Sequence, residues 1–250
     1  FTRRSNDLDL LVPRSRFEDA LAALEAIGFK AHHGTSQWWK FSLGEVHLVY
    51  PGGGVIDLHH RLQQPGCPAP RHLGEFISAA DIEQLGETSI AIPSFQHALL
   101  ISALNFCKEL FYRKPSARYA FDFATGALLL PPEAHEEFVA LVRRQGLEGP
   151  VGFTMAACES LFGPLQGMPE MAARLSARPP WTRGADFARL VFAPESIGIC
   201  WPRRRTFLWQ LCGGEATARC SLDFAEQAGR IAISEMLRRT LTKIPIGNSS

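Results

Sequence analysis

Two aspartates near the start of the chain have the type and spacing that metal chemistry requires. Asp7 and Asp9 are separated by one residue in a run that is otherwise apolar as far as residue 12. Because side chains alternate between the faces of a strand, both carboxylates are expected on one face, with Leu8 and Leu10 on the other. Adjacent carboxylates repel each other and lose hydration unless a cation lies between them. The pattern is compatible with a divalent metal site, although an Asp at a strand end more often serves as a turn or capping residue.

A third aspartate repeats this design further along the chain. Asp57 is the lone acid in Val55-Ile56-Asp57-Leu58-His59, a second apolar strand candidate. A sheet that places the two strands side by side brings three carboxylates together, and Mg²⁺ prefers carboxylate oxygens. Two metal ions roughly 3.5–4 Å apart form a clamp for in-line displacement at phosphorus. His59 shares a strand face with Asp57, where it either orients a carboxylate, touches substrate or fills a structural position.

Polar residues before the first acids are candidates for phosphate binding. Arg3, Arg4 and Ser5 directly precede this region, and guanidinium groups bind phosphate oxygens through paired hydrogen bonds. The alternative is a solvent-exposed entry into the strand. The glycine run 52–54 precedes a strand candidate and does not open a helix, so it predicts a hairpin turn and no phosphate loop.

The elements that must position these residues begin with a strand over 8–12, which Pro13 ends. Ser15 and Glu18 have the spacing of a capping box, and the apolar positions that follow predict a helix as far as Gly28. Breakers then separate four short strand candidates, at 29–33, 37–43, 46–50 and 55–60. This order predicts a mixed α/β (α+β) sheet with helices packed on it and no regular βαβ array.

The rest of the chain has a mainly helical pattern. A Pro-rich connection over 63–70 is followed by predicted helices at 72–84, 95–112, 118–130, 133–145, 152–162, 170–175 and 222–243, with a short strand at 89–92 and an ambiguous segment at 197–209. We therefore expect a mixed-sheet core over residues 1–92 and a mainly α-helical domain over residues 93–250.

Composition excludes several classes of protein. Lys and Arg number 26 against 25 Asp and Glu, which gives no basic surface of the kind that long nucleic acids require. The apolar runs fall short of the roughly 18–20 residues of a membrane span. Six cysteines without a CxxC pair favour a reducing, cytoplasmic setting. The chain starts at Phe1 without a Met or a signal segment, so an N-terminal piece is expected to be missing.

Two sequence blocks together resemble a known family. Residues 6–12 and 55–62 are similar to the D-I-D-L-L-V and V-D-L-H-W-R-L blocks of uncharacterised bacterial nucleotidyltransferases, which share the superfold of DNA polymerase β. The resemblance is specific in the predicted core and loose in the helical part, where Lys108 and Asp122 match without a firm role. It implies that Asp7 and Asp9 bridge the metal ions, and that Asp57 is a third ligand that helps to deprotonate an acceptor hydroxyl.

The resemblance also implies an activity. The expected reaction is magnesium-dependent transfer of a nucleoside monophosphate from a nucleoside triphosphate, ATP by abundance, to an unidentified small-molecule, peptide or protein acceptor. The active site is expected between the two domains, and the Gly-rich triphosphate turn of the superfold falls upstream of Phe1. The alternative is a catalytically silent module of the same fold that binds a nucleotide or protein partner. An unrelated metal-dependent hydrolase would need a His/Asp ligand cluster whose spacing is not recognisable here.

Overall fold

A four-stranded mixed sheet forms the N-terminal part of the computed structural model. The structure describes residues 7–32, 40, 43–63, 67–112 and 114–175, together with residues 188, 191–193, 221, 222, 225, 229 and 233. The strands are Leu8–Leu11 (β1), Lys30–Ala31 (β2), Glu45–Val49 (β3) and Val55–His59 (β4). Their order in the sheet is β1-β4-β3-β2. Since β1 is parallel to β4 and the other neighbours are antiparallel, the predicted mixed sheet is confirmed.

One helix, Phe17–Ala26 (α1), covers one face of this sheet. Phe17 and Leu21 of the helix are buried against four strand residues, which are Val46, Leu48, Ile56 and Leu58. These strand residues occupy every second position, so the residues between them belong to the opposite face. The polar side chains of β3 and β4 therefore lie on the sheet face that α1 does not cover.

The predicted capping box at the start of α1 is wrong. Arg14–Arg16 form a 3-10 turn, and the residue at the N-cap is Arg16, which makes no side-chain capping hydrogen bond. The Arg16 N–H donates to the Pro13 carbonyl at 2.9 Å, so backbone bonds of the turn replace the expected Ser15 cap. At the other end Gly28 has φ +104, and a Cβ there would lie 3.2 Å from the Tyr50 ring. The helix was predicted to end at Gly28, and the positive φ found there is one that glycine adopts readily.

Six further α-helices lie within the described residues. They are Leu73–Ser78 (α2), Phe95–Tyr112 (α3), Ala117–Leu129 (α4), His135–Gln145 (α5), Glu148–Phe162 (α6) and Met168–Arg174 (α7). They share a second apolar core in which Phe106, Phe123 and Phe138 have no exposed surface. The predicted combination of a mixed-sheet part and a helical part is confirmed. Cys67 and Phe76 also belong to this second core, while the domain boundary after residue 92 stays a prediction.

The helix predicted over residues 72–84 is only half right. It ends at Ser78, and a hairpin follows, with strands Asp81–Leu85 (β5) and Thr88–Ile92 (β6). Gly86 adopts φ +64 in the turn, a conformation that suits a tight hairpin and breaks a helix. The predicted strand at 37–43, the segment 197–209 and the helix at 222–243 lie wholly or largely outside the described residues. No helix of the described part is both long and apolar enough to cross a membrane.

Candidate functional site

The pairing of β1 with β4 brings two of the predicted acids together. Asp9 and Asp57 are directly opposite each other in the parallel register. His59 lies two residues after Asp57 on the same face of β4, whereas Ile56 and Leu58 are buried beneath α1 on the other face. Because the apolar side chains of one sheet face are buried beneath α1, the polar side chains are held on the opposite face.

Asp9, Asp57 and His59 form the carboxylate–histidine cluster of this face. One ligand atom of each residue lies within 4.8 Å of the ligand atoms of the other two. Two carboxylate oxygens and an imidazole nitrogen at such spacing fit a divalent cation, because carboxylates suit Mg²⁺ and Mn²⁺ and imidazole is compatible with transition metals. The side chain of Asp57 is 16% exposed and that of Asp9 is 75% exposed, so the cluster is closed on the Asp57 side and open on the Asp9 side.

Each carboxylate of the cluster has its own histidine partner. His59 Nε2 lies 3.0 Å from Asp9 Oδ1, and His47 Nδ1 of β3 lies 2.5 Å from Asp57 Oδ1. His59 Nδ1 is also 3.9 Å from the carboxylate of Glu45. His59 thus lies between two carboxylates, and the N–H groups of the two imidazoles offset the repulsion between neighbouring acids.

The hydrogen bond from His59 is the main reason why the pKa of Asp9 lies below its usual value of 3.8. Loss of hydration opposes this shift, whereas the positive charges of His59 and Lys108 add to it. A lowered pKa keeps Asp9 ionised over a wider range of pH, and the ionised carboxylate is the form that binds cations.

The helical part of the protein borders the cluster. Lys108 of α3 is close enough for its charge to lower the pKa of Asp9. One turn earlier on α3, the Asn105 side chain accepts a hydrogen bond from Gln63, which follows β4, at 3.5 Å. Leu11 at the end of β1 packs against the apolar core of the helices. The cluster therefore lies where the sheet meets α3, with a cation on the helical side.

The other predicted site residues are placed differently. Asp7 is exposed, directly before β1, and stands outside the three-residue cluster. Arg3, Arg4 and Ser5 lie outside the described residues, so their predicted role in phosphate binding stays a prediction. His60 is buried with its ring 4.9 Å from that of Phe17, so it packs in the core beneath α1.

Sequence reasoning missed His47 and Glu45. Both lie on β3 opposite Asp57 and His59, respectively. A signal was available, because Glu45 and His47 are the polar members of the alternating run Glu45–Val49. The same alternation identified Asp57 and His59 as candidates on β4.

Comparison with protein families gives one match. The model of a family described as "Uncharacterised nucleotidyltransferase" matches residues 2–163 of the 250-residue chain. The match includes the whole carboxylate–histidine cluster and extends through α6, so the family includes the helices that were expected to match only loosely. No curated protein and no solved structure gave a match.

Proposed function

Since the chain belongs to the family of uncharacterised nucleotidyltransferases, we propose that it transfers a nucleoside monophosphate from a nucleoside triphosphate to an acceptor hydroxyl and releases pyrophosphate. The observation that carries this proposal is the pairing of Asp9 with Asp57 on neighbouring parallel strands, next to His59. Mg²⁺ is the proposed cation, two ions are expected from the resemblance, and ATP is the proposed donor.

Each member of the cluster has a proposed part in this reaction. A bound divalent cation supplies positive charge to the triphosphate oxygens and to the departing pyrophosphate. Asp9 and Asp57 hold that charge in place, with Asp7 as the additional ligand that the resemblance implies. His59 stabilises the ionised form of Asp9 and orients it through the 3.0 Å contact. Asp57 helps to deprotonate the acceptor hydroxyl, as the resemblance implies.

The charge distribution around the cluster supports a polyanionic substrate. Lys108 faces the exposed carboxylate of Asp9 from α3, and Arg3 and Arg4 precede β1 in the sequence. A cation beside a metal-binding acid pair suits triphosphate oxygens, and we propose that the two arginines add to this positive charge. The chain as a whole has a net charge of only +1, which favours a small-molecule, peptide or protein acceptor over a long polynucleotide.

A thermal-shift panel tests this proposal. The protein is heated with each of the four ribonucleoside triphosphates, with and without Mg²⁺. A ligand at a hundredfold excess over its Kd stabilises the native state by about 2.7 kcal/mol, or roughly 5–10 °C in a chain of this size. We expect one triphosphate to stabilise the protein only in the presence of Mg²⁺.

Two variants make the panel specific for the cluster. Asp9→Asn removes a charge at nearly constant shape and should abolish the Mg²⁺-dependent shift. The matched control, Asp81→Asn on the exposed hairpin strand β5, should retain it. Stabilisation that needs no metal would favour the silent nucleotide-binding module over the transferase.

A further inference from the structure

His47 is a residue of the cluster face to which neither the family nor the metal-ligand geometry gives a role. It lies on β3, directly opposite Asp57 in the antiparallel register. Its Nδ1 is 2.5 Å from Asp57 Oδ1, while its side chain stays 42% exposed. His47 is not a member of the three-residue cluster, so its contact with the site is made through Asp57.

The contact with His47 restricts how Asp57 can bind a cation. An N–H donor at Oδ1 fixes the rotation of the carboxylate and occupies a lone pair, while Oδ2 stays available as a ligand atom. Carboxylates that bind metals are commonly held by such partners, and loss of the partner typically weakens metal affinity or activity by about 10–100-fold. Asp57 therefore depends on β3 for its orientation, just as Asp9 depends on His59.

His47 is itself held in place by His32, which directly follows the edge strand β2. The His32 N–H donates to the His47 carbonyl at 2.9 Å. The His32 ring meets the His47 ring edge to face, with centroids 5.6 Å apart. Backbone and ring contacts from this side leave the imidazole directed along the sheet toward Asp57.

We infer that His47 is a positioning residue, which donates from Nδ1 to Asp57 and thereby sets the geometry of the metal ligand. The inference rests on the proposed function, because it assumes that Asp57 binds a divalent cation. It extends the site from the two strands that carry the acids to a third strand, β3. The residue that contacts the cation remains Asp57.

The test is the affinity of the intact chain for Mn²⁺ alone, measured by calorimetry and by the electron paramagnetic resonance signal of the free ion. His47→Ala removes the donor and should weaken Mn²⁺ binding by about 10–100-fold. His47→Asn places an amide N–H near the position of Nδ1 and should restore affinity to within about threefold of the parent. His72→Ala, which removes an exposed imidazole before α2, serves as the control and should bind Mn²⁺ like the parent.

Two results would overturn the inference. Equal Mn²⁺ affinity in the parent and in His47→Ala would show that Asp57 needs no partner. Equal weakening in His47→Ala and His47→Asn, at unchanged circular dichroism, would show that the donor is not what matters. Asp57→Asn distinguishes failure of this inference from failure of the proposed function. Unchanged Mn²⁺ affinity in Asp57→Asn would show that Asp57 does not bind the cation, and this result would overturn both proposals.

Discussion

Gln145 at the end of α5 should be among the polar residues on which the stability of the fold depends most. It is fully buried, and its side chain connects α5 to the segment that leads from β4 into the helical part. Its Nε2 donates to Glu75 at 2.7 Å and to the His72 carbonyl at 3.4 Å. Its Oε1 accepts from the His72 N–H at 3.0 Å.

The cost of Gln145→Ala follows from these three contacts. The two bonds to His72 are neutral and are worth about 0.5–1.5 kcal/mol each, with the 3.4 Å bond at the lower end. We therefore expect a loss of about 2 kcal/mol from these bonds, to which the bond to the partly exposed Glu75 carboxylate adds. For a chain of this size a loss of about 2 kcal/mol lowers Tm by roughly 4–8 °C.

The assay is thermal unfolding followed by circular dichroism at pH 7, with Gln166→Ala as the control. Gln166 is exposed, so its truncation should change the free energy of unfolding by no more than about 0.5 kcal/mol. A second variant, Gln145→Glu, keeps an acceptor for His72 but places a carboxylate against Glu75, so it should be destabilised most at neutral pH and recover partly on acidification. A drop of less than about 2 °C for Gln145→Ala would show that these buried bonds do not hold the two segments together.

Two further predictions concern charge. Burial lowers the pKa of His97 below its ordinary value of 6.5, so the unfolded chain takes up the proton first and stability should fall as the pH decreases from 6.5 toward the folded-state pKa. His97→Asn retains a group near the position of Nδ1 that can pair with Ser94, and it should reduce the loss of Tm between pH 7 and pH 5. Part of the loss should remain because burial also lowers the pKa of His60. A loss of Tm in His97→Asn equal to that of the parent would contradict this prediction. Lys108→Gln should raise the Kd for the metal–triphosphate complex, measured by calorimetry, by roughly 1.5–5-fold, which is the effect of an exposed ion pair. Lys108→Arg should restore the Kd of the parent. A Kd unaffected by Lys108→Gln would place this lysine outside the substrate site.

The central pair of the site was accessible from the sequence because strand alternation is a strong physical constraint. Apolar residues at every second position of β1 and β4 leave Asp9, Asp57 and His59 on one shared face. The partners of this pair were harder to predict. Alternation places the His47 side chain on the polar face of β3, but its pairing with Asp57 depends on the register of β3 against β4. The position of Lys108 depends on the packing of α3 against the sheet. A local pattern encodes neither the register nor the packing.

Local patterns also failed where two signals compete. Residues 81–85 fit both a helix and a strand, and the turn at Gly86 decides for the hairpin. The S-x-x-E pattern at Ser15 predicted a cap, but the 3-10 turn after Pro13 supplies backbone bonds instead. Asp7 belonged to the predicted acid pair, yet it lies before the first paired residue of β1, so alternation within the strand does not fix its side chain.

The most direct test of the acid pair as a nucleotidyltransferase site is the fate of labelled phosphorus in ATP. The protein is incubated with Mg²⁺, an extract fractionated into small molecules, peptides and proteins, and ATP labelled at either the α or the γ position. We predict that the α label moves to an acceptor while the γ label leaves as pyrophosphate, and that Asp9→Asn and Asp57→Asn abolish the transfer while Asp81→Asn does not. Transfer of the γ label, or α-label transfer that survives in Asp57→Asn, would contradict it.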